Sequence, residues 1–150
     1  MMEFKLQVYN HFLQLVNDRA AAIQQVLDGL KESAANETKS TAGDKHETAL
    51  AMLQIEQENT RQKYREATEQ KAQLDKINIE LISCQIIKGS LIKTDKGYFF
   101  LSVALGKSMI DDIPVIAISS QSPLGAKLLG LTVNNMLKIN EINYIVETIE

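Results

Sequence analysis

No tryptophan occurs in this chain, and aromatic residues amount to only 5% of it. A stacking platform for single-stranded nucleic acid is built from such rings and is not expected. The single cysteine, Cys84, rules out an intrachain disulfide and fits a reducing compartment. Its apolar neighbours make an inert core thiol the expectation. His11, His46 and Cys84 are scattered, without zinc-site spacing. There is no glycine-rich phosphate loop and no nucleophile elbow. No apolar run approaches the ~18 residues a membrane span needs. The start, Met1-Met2-Glu3-Phe4-Lys5-Leu6, lacks a signal-peptide pattern, so a cytoplasmic protein with no membrane partner is expected. A net charge of −3 and a pI near 5.5 argue against bulk electrostatic binding of duplex DNA or anionic lipid.

What the chain does have is periodicity. Both prolines, Pro114 and Pro123, lie in the second half, which leaves a long proline-free stretch for helices. Over residues 4–34, Leu6, Leu13, Ala20, Leu27 and Ala34 recur every seven residues. Tyr9, Val16, Ile23 and Leu30 follow three later. Such a heptad is the seam of a coiled coil or a two-helix hairpin. Phe12 and Val26 lie beside the seam, and Gly29 is its weak point. Residues 35–43 break the pattern with Asn, Ser, Thr and Gly. A second stripe then follows: Leu50, Leu53, Gln57, Thr60, Tyr64, Ala67, Lys71 and Leu74. Folding back around residue 40 sets Leu30 against Leu50, Leu27 against Leu53 and Leu6 against Leu74. Helices of 30 to 35 residues would give a rod of about 45–50 Å.

Near Ile77 the period changes. Residues 79–87 read as a β-run or a helix-to-strand passage, and residues 91–104 as strand, turn, strand, with Gly97 at the turn. Residues 106–112 read as a loop, and Pro114 opens a further strand. Ser122 and Pro123 start a short helix as N-cap and first residue, and Gly130 stands just past its end. Two last strands cover residues 136–139 and 144–149, with turns at Asn134-Asn135 and Asn140-Glu141. The expected class is α+β: an antiparallel helical coiled-coil hairpin over residues 1–78, then a small β-rich domain with one short helix over residues 79–150.

Three stretches resemble the Gre-type transcript cleavage factors of bacterial RNA polymerase. Ile116-Ala117-Ile118-Ser119-Ser120-Gln121-Ser122-Pro123-Leu124-Gly125-Ala126-Lys127-Leu128-Leu129-Gly130 is similar to that family's Ser-Pro-(Leu/Ile)-Gly-x-x-Leu-(Leu/Met)-Gly signature. Gly89-Ser90 ahead of a strand resembles the family's passage into its second domain. Gly43-Asp44-Lys45-His46-Glu47 resembles the family's Gly-Asp-x-x-Glu turn between helices. The chain departs from the family at Asn134-Asn135, where Gly-Asp is usual, and at Thr48-Ala49-Leu50-Ala51, where Asn-Ala-Glu-Tyr is usual.

The resemblance implies an FKBP-like fold for residues 79–150, docking on RNA polymerase, and a rod with an acidic tip near residues 36–47 that enters the polymerase's secondary channel. Asp44 and Glu47 would there hold Mg2+ jointly with the polymerase and stimulate hydrolysis of the 3′ end of backtracked nascent RNA. The protein would be an activator of the polymerase's own cleavage rather than an enzyme by itself, and a monomer is expected. Ser122, Pro123, Leu124 and Gly125 are the expected polymerase contacts, and Arg61, Lys63 and Arg65 the expected RNA-proximal residues. The same i, i+3 spacing of Asp44 and Glu47 also makes a helix-capping box, and the two roles are compatible. Glu56, Glu58, Glu66 and Glu69 interleave with the three basic residues, so the residues by themselves favour a solvated face with i, i+4 pairs. Two other functions suit these residues. One is a non-catalytic regulator competing for the same channel. The other is a prolyl isomerase or chaperone, for which Tyr98, Phe99, Phe100 and Tyr144 are the available pocket aromatics.

Overall fold

The computed structural model describes residues 2–38 and 43–150. The side chains of residues 2, 38 and 43–46 lie outside the described ones. The protein is α+β: two long helices, α1 (Met2–Thr38) and α2 (Gly43–Asp75), precede a six-stranded sheet with one short helix. The strands are β1 (Leu91–Thr94), β2 (Gly97–Ser102), β3 (Gly106–Ile110), β4 (Ile113–Ser119), β5 (Met136–Ile139) and β6 (Ile142–Ile149). Helix α3 (Pro123–Leu128) lies between β4 and β5. Among the described residues, no helix is long and apolar enough to cross a membrane.

The chain forms two compact units: Met1–Gln14 with Ala72–Glu150, and Leu15–Lys71. The division cuts through both long helices. Their bases belong to the sheet-bearing unit, and the cause lies in the sheet.

The strand order is β3-β4-β2-β1-β6-β5. β2 is central and buries residues on both faces. On one face Phe99 and Leu101 join Ile92, Leu128, Leu137, Val146 and Ile86 in a closed apolar cluster. On the other, Phe100 stands in line with Leu91 and Ala117, all three buried. A central strand that is apolar on both faces must be covered twice. α3 and residue Ile86 cover the first face; the base of α1 covers the second. Phe12 stacks on Phe100 with ring centroids 6.1 Å apart, and Phe4 meets Tyr98 edge-on at 5.3 Å.

This contact changes which face of α1 is buried. Lys5, Val8 and Phe12 are fully buried, whereas Leu6, an expected seam residue, is 43% exposed. The sheet decides the buried side of this part of the helix, and it selects residues spaced by three and four. Tyr9 bridges to α2 through its hydroxyl, which donates to the Leu74 carbonyl at 2.9 Å.

In the helical unit, the expected seam positions of α2 from Leu50 to Lys71 are buried or half-buried. The Gln57 side-chain amide donates to the Leu30 carbonyl at 3.3 Å, and Arg19 and Ile23 border a groove with Lys63 and Ala67. Contacts therefore descend α1 as they ascend α2. Leu30 meets Gln57 rather than Leu50, a shift of about two helical turns. A seven-residue seam looks the same after sliding by one heptad, so periodicity leaves that slip open.

Two further expectations are corrected. Residues 106–112 are not a loop: Gly106–Ile110 is edge strand β3, paired antiparallel with β4 through a turn at Asp111 and Asp112, both at positive φ. Such a turn matches the twist of a two-residue hairpin. Cys84 is exposed rather than a core thiol. Residues 76–90 contain no strand, so they are a helix-to-strand passage, and its deep anchor is Ile86. The residues before that anchor, including Leu81, Ile82 and Cys84, face outward.

Truncating Phe12 removes a fully buried ring from the α1–sheet contact. Phe12→Ala is expected to lower stability by about 3–5 kcal/mol, read as a lower urea midpoint for the sheet-bearing unit. A loss below about 1 kcal/mol, the range of an exposed site, would show that the helix base does not hold the sheet.

Candidate functional site

α2 begins at Gly43, so Asp44 is its second residue and Glu47 its fifth; the expected capping box needs Asp44 just ahead of the helix, and the helix instead starts one residue earlier. Glu47 is exposed. The Asp44 side chain lies outside the described residues, so the spacing of the two carboxylates is a property of the sequence here. Among the described residues, no group of three or more His, Cys, Asp or Glu is arranged to hold a metal. Hard carboxylate oxygens suit magnesium, which commonly takes only one or two from a given protein.

The basic residues of α2 are separated by their partners. Arg61 approaches Glu58 at 3.7 Å and the Gln57 side chain at 3.4 Å. Arg65 reaches Glu58 at 3.3 Å and Gln62 at 2.7 Å. These are exposed pairs that add little stability, but they tie two of the three cations to one carboxylate. Lys63 lies on the groove with Arg19. The structure does not bring these residues together with Glu47.

Ser122, Pro123, Leu124 and Gly125 form a tightly built corner. The Ser122 hydroxyl donates to the Ser119 carbonyl at 2.6 Å and accepts from Gly125 N–H at 3.1 Å. Pro123 occupies the first turn of α3, where its missing N–H costs nothing. A Cβ on Gly125 would run into the Ser119 carbonyl oxygen, so only glycine fits without a shift. Leu124 packs on the apolar cluster. Each residue of this tetrapeptide except the exposed Pro123 thus has a local structural duty. At the far end, Gly130 takes φ +87 and donates to Ile86 O at 2.8 Å, while Ile86 N–H donates to Leu131 O at 2.8 Å. These bonds fasten the 76–90 passage to α3. Gly89, at φ +98, turns the chain into β1; its N–H donates to Leu101 O, and a Cβ there would strike Ile77.

One residue escaped the sequence reading. Lys5 is 1% exposed at the base of α1, with Nζ 3.5 Å from the Leu81 carbonyl. Burial pushes its pKa below the usual 10.5, and Glu150 partly opposes that shift. The signal was present in the stripe of Val8, Phe12 and Val16, spaced by four, with Lys5 three residues before Val8 on the same helical face. The seven-residue seam drew attention to the neighbouring face instead.

Compared with models of known protein families and with curated proteins, the chain matches none.

Two measurements follow from this geometry. Gly125→Ala should destabilise the sheet-bearing unit by about 1–3 kcal/mol, because the added methyl forces backbone apart; a thermal midpoint equal to wild type would contradict the cramped corner. For Lys5, the unfolded chain binds more protons than the folded one between the lowered folded pKa and 10.5. The stability of the wild type relative to Lys5→Met should therefore rise with pH through that window and level off above it. Parallel urea titrations at neutral and alkaline pH check the sign, and a difference that stays flat or falls would refute it.

Proposed function

We propose that the protein is a Gre-type factor that binds bacterial RNA polymerase and stimulates hydrolytic cleavage of backtracked RNA. The observation that carries the reading is the helical unit. Its contacts run down α1 and up α2, so residues 15 and 71 share one end and the acidic turn opening α2 stands at the other. In this reading the two helices are an antiparallel coiled coil and residues 79–150 are an FKBP-like docking domain. About 24 residues of α1, from 15 to 38, give a reach of roughly 35 Å within the unit. A rod so thin suits a narrow channel better than it suits a core.

Asp44 and Glu47 would hold a magnesium ion jointly with the polymerase. Such an ion lowers the pKa of a bound water and so supplies a hydroxide for attack on the phosphodiester. The protein's own part is positional: the i, i+3 spacing of Asp44 and Glu47 at the start of α2 suits a shared helical face. The Ser122–Gly125 corner belongs to the docking surface, where Pro123 is exposed. Because the remaining groups come from the polymerase, the isolated protein has no nuclease activity.

A second reading is favoured by Thr48-Ala49-Leu50-Ala51 after the acidic turn, which carries neither an acid nor an aromatic. In it the rod occupies the channel and blocks other factors without promoting cleavage.

The experiment is RNA cleavage in stalled elongation complexes with and without the protein. Stimulated cleavage should fall at least about a hundredfold in Asp44→Ala/Glu47→Ala, the scale of removing groups that position a catalytic ion, while polymerase binding persists. Binding with inhibition and no cleavage would select the second reading. No binding to polymerase would end both.

A further inference from the structure

The sheet has two edge strands, β3 and β5, and they are treated differently. Each sits in a hairpin with a two-residue turn in the left-handed region, at Asp111-Asp112 and at Asn140-Glu141. In such a hairpin the residues flanking the turn exchange backbone bonds with each other, and every second residue along the strand faces the same way. In β5 that leaves Met136 and Lys138 with outward backbone groups. The Lys138 carbonyl is capped at 2.9 Å by the Lys127 ammonium from α3. A side chain planted on the edge in this way blocks strand addition.

In β3 the outward groups belong to Lys107 and Met109, and nothing caps them among the described residues. Lys107 is exposed and Met109 is 57% exposed. The flank of α1 stands back from this edge: Gln7, Asn10 and His11 border an open groove with Met109, Ile110 and Asp111. Neither Lys107 nor Asp111 nor Asp112 has an ion-pair partner among the described residues.

The charge order along this edge names its occupant. A cation lies at one end of β3, an apolar side chain in the middle and two carboxylates past the other end. An antiparallel copy of the same strand is complementary to that pattern, whereas a parallel copy sets like charges side by side. We infer that β3 pairs antiparallel with β3 of a second copy of this chain, with Met109 on the two-fold axis and each Lys107 opposite Asp111 of the other copy. The two Met109 residues then exchange backbone bonds and cover each other's exposed side chains. The interface is isologous, so it closes at two chains and does not propagate.

The test is sedimentation of the full-length protein from micromolar to millimolar concentration. A concentration-dependent dimer is expected, weaker at high salt. Met109→Pro removes an outward N–H, a position where an edge strand tolerates proline, and should weaken the dimer about tenfold or more. Lys107→Glu should weaken it comparably, and adding Asp111→Asn with Asp112→Asn should recover part of that loss. Asparagine keeps the left-handed turn. Should the proline variant fail to fold by circular dichroism, the Lys107 series carries the test alone. In a Cys84→Ser background, Met109→Cys should form a disulfide-linked dimer on mild oxidation. A protein that stays monomeric throughout overturns the inference and leaves the edge to another strand or to solvent. So does a dimer whose affinity ignores both Met109→Pro and Lys107→Glu. Neither result depends on polymerase binding, so the proposed function stands or falls separately.

Discussion

A strand apolar on both faces cannot be left half-covered, and β2 is such a strand. Phe99 and Leu101 go into the cluster beneath α3, while Phe100 needs a second cover. Phe12 and its neighbours on α1 supply it. This single demand ties the first turns of the chain to a sheet that begins some ninety residues later in sequence. It also explains why the base of α1 buries Lys5, Val8 and Phe12 instead of continuing its heptad.

The cost of that arrangement is visible in Lys5. An ammonium taken out of water loses more than a single long contact to Leu81 O returns, and Glu150 supplies only partial compensation. The position is nevertheless well placed to hold three separate parts of the sheet-bearing unit: the base of α1, the 76–90 passage and the end of the chain. The same passage is fixed from the other side by the backbone bonds of Gly130 and Ile86.

Several elements were legible in the residues alone. Ser122, Pro123 and Gly130 marked both ends of α3, and the structure adds why Gly125 lies between them: a methyl there meets the Ser119 carbonyl. The stripe of α2 was legible as far as which face is buried. β3 was not legible, because Gly106-Lys107-Ser108-Met109 is a short, exposed edge with no alternation to betray it. Cys84 misled for the opposite reason: its apolar neighbours belong to an irregular passage in which Ile86 is the one fully buried apolar side chain. For the acidic turn, the residue spacing was legible, and the structure adds an exposed Glu47 as the fifth residue of α2.

The sequence by itself determined the elements whose causes are local. Caps, turns and periodic stripes depend on residues a few positions apart, and Gly43-Asp44-Lys45-His46-Glu47 at the start of α2 is among them. Tertiary structure alone decided the heptad in which α1 meets α2, the side on which the base of α1 is buried, and the pairing of β3 as an edge. Those choices depend on partners distant in the chain, and the local pattern is the same for each alternative. A seam slid by seven residues keeps its stripe, and a polar edge strand has the composition of a loop until another strand lies beside it.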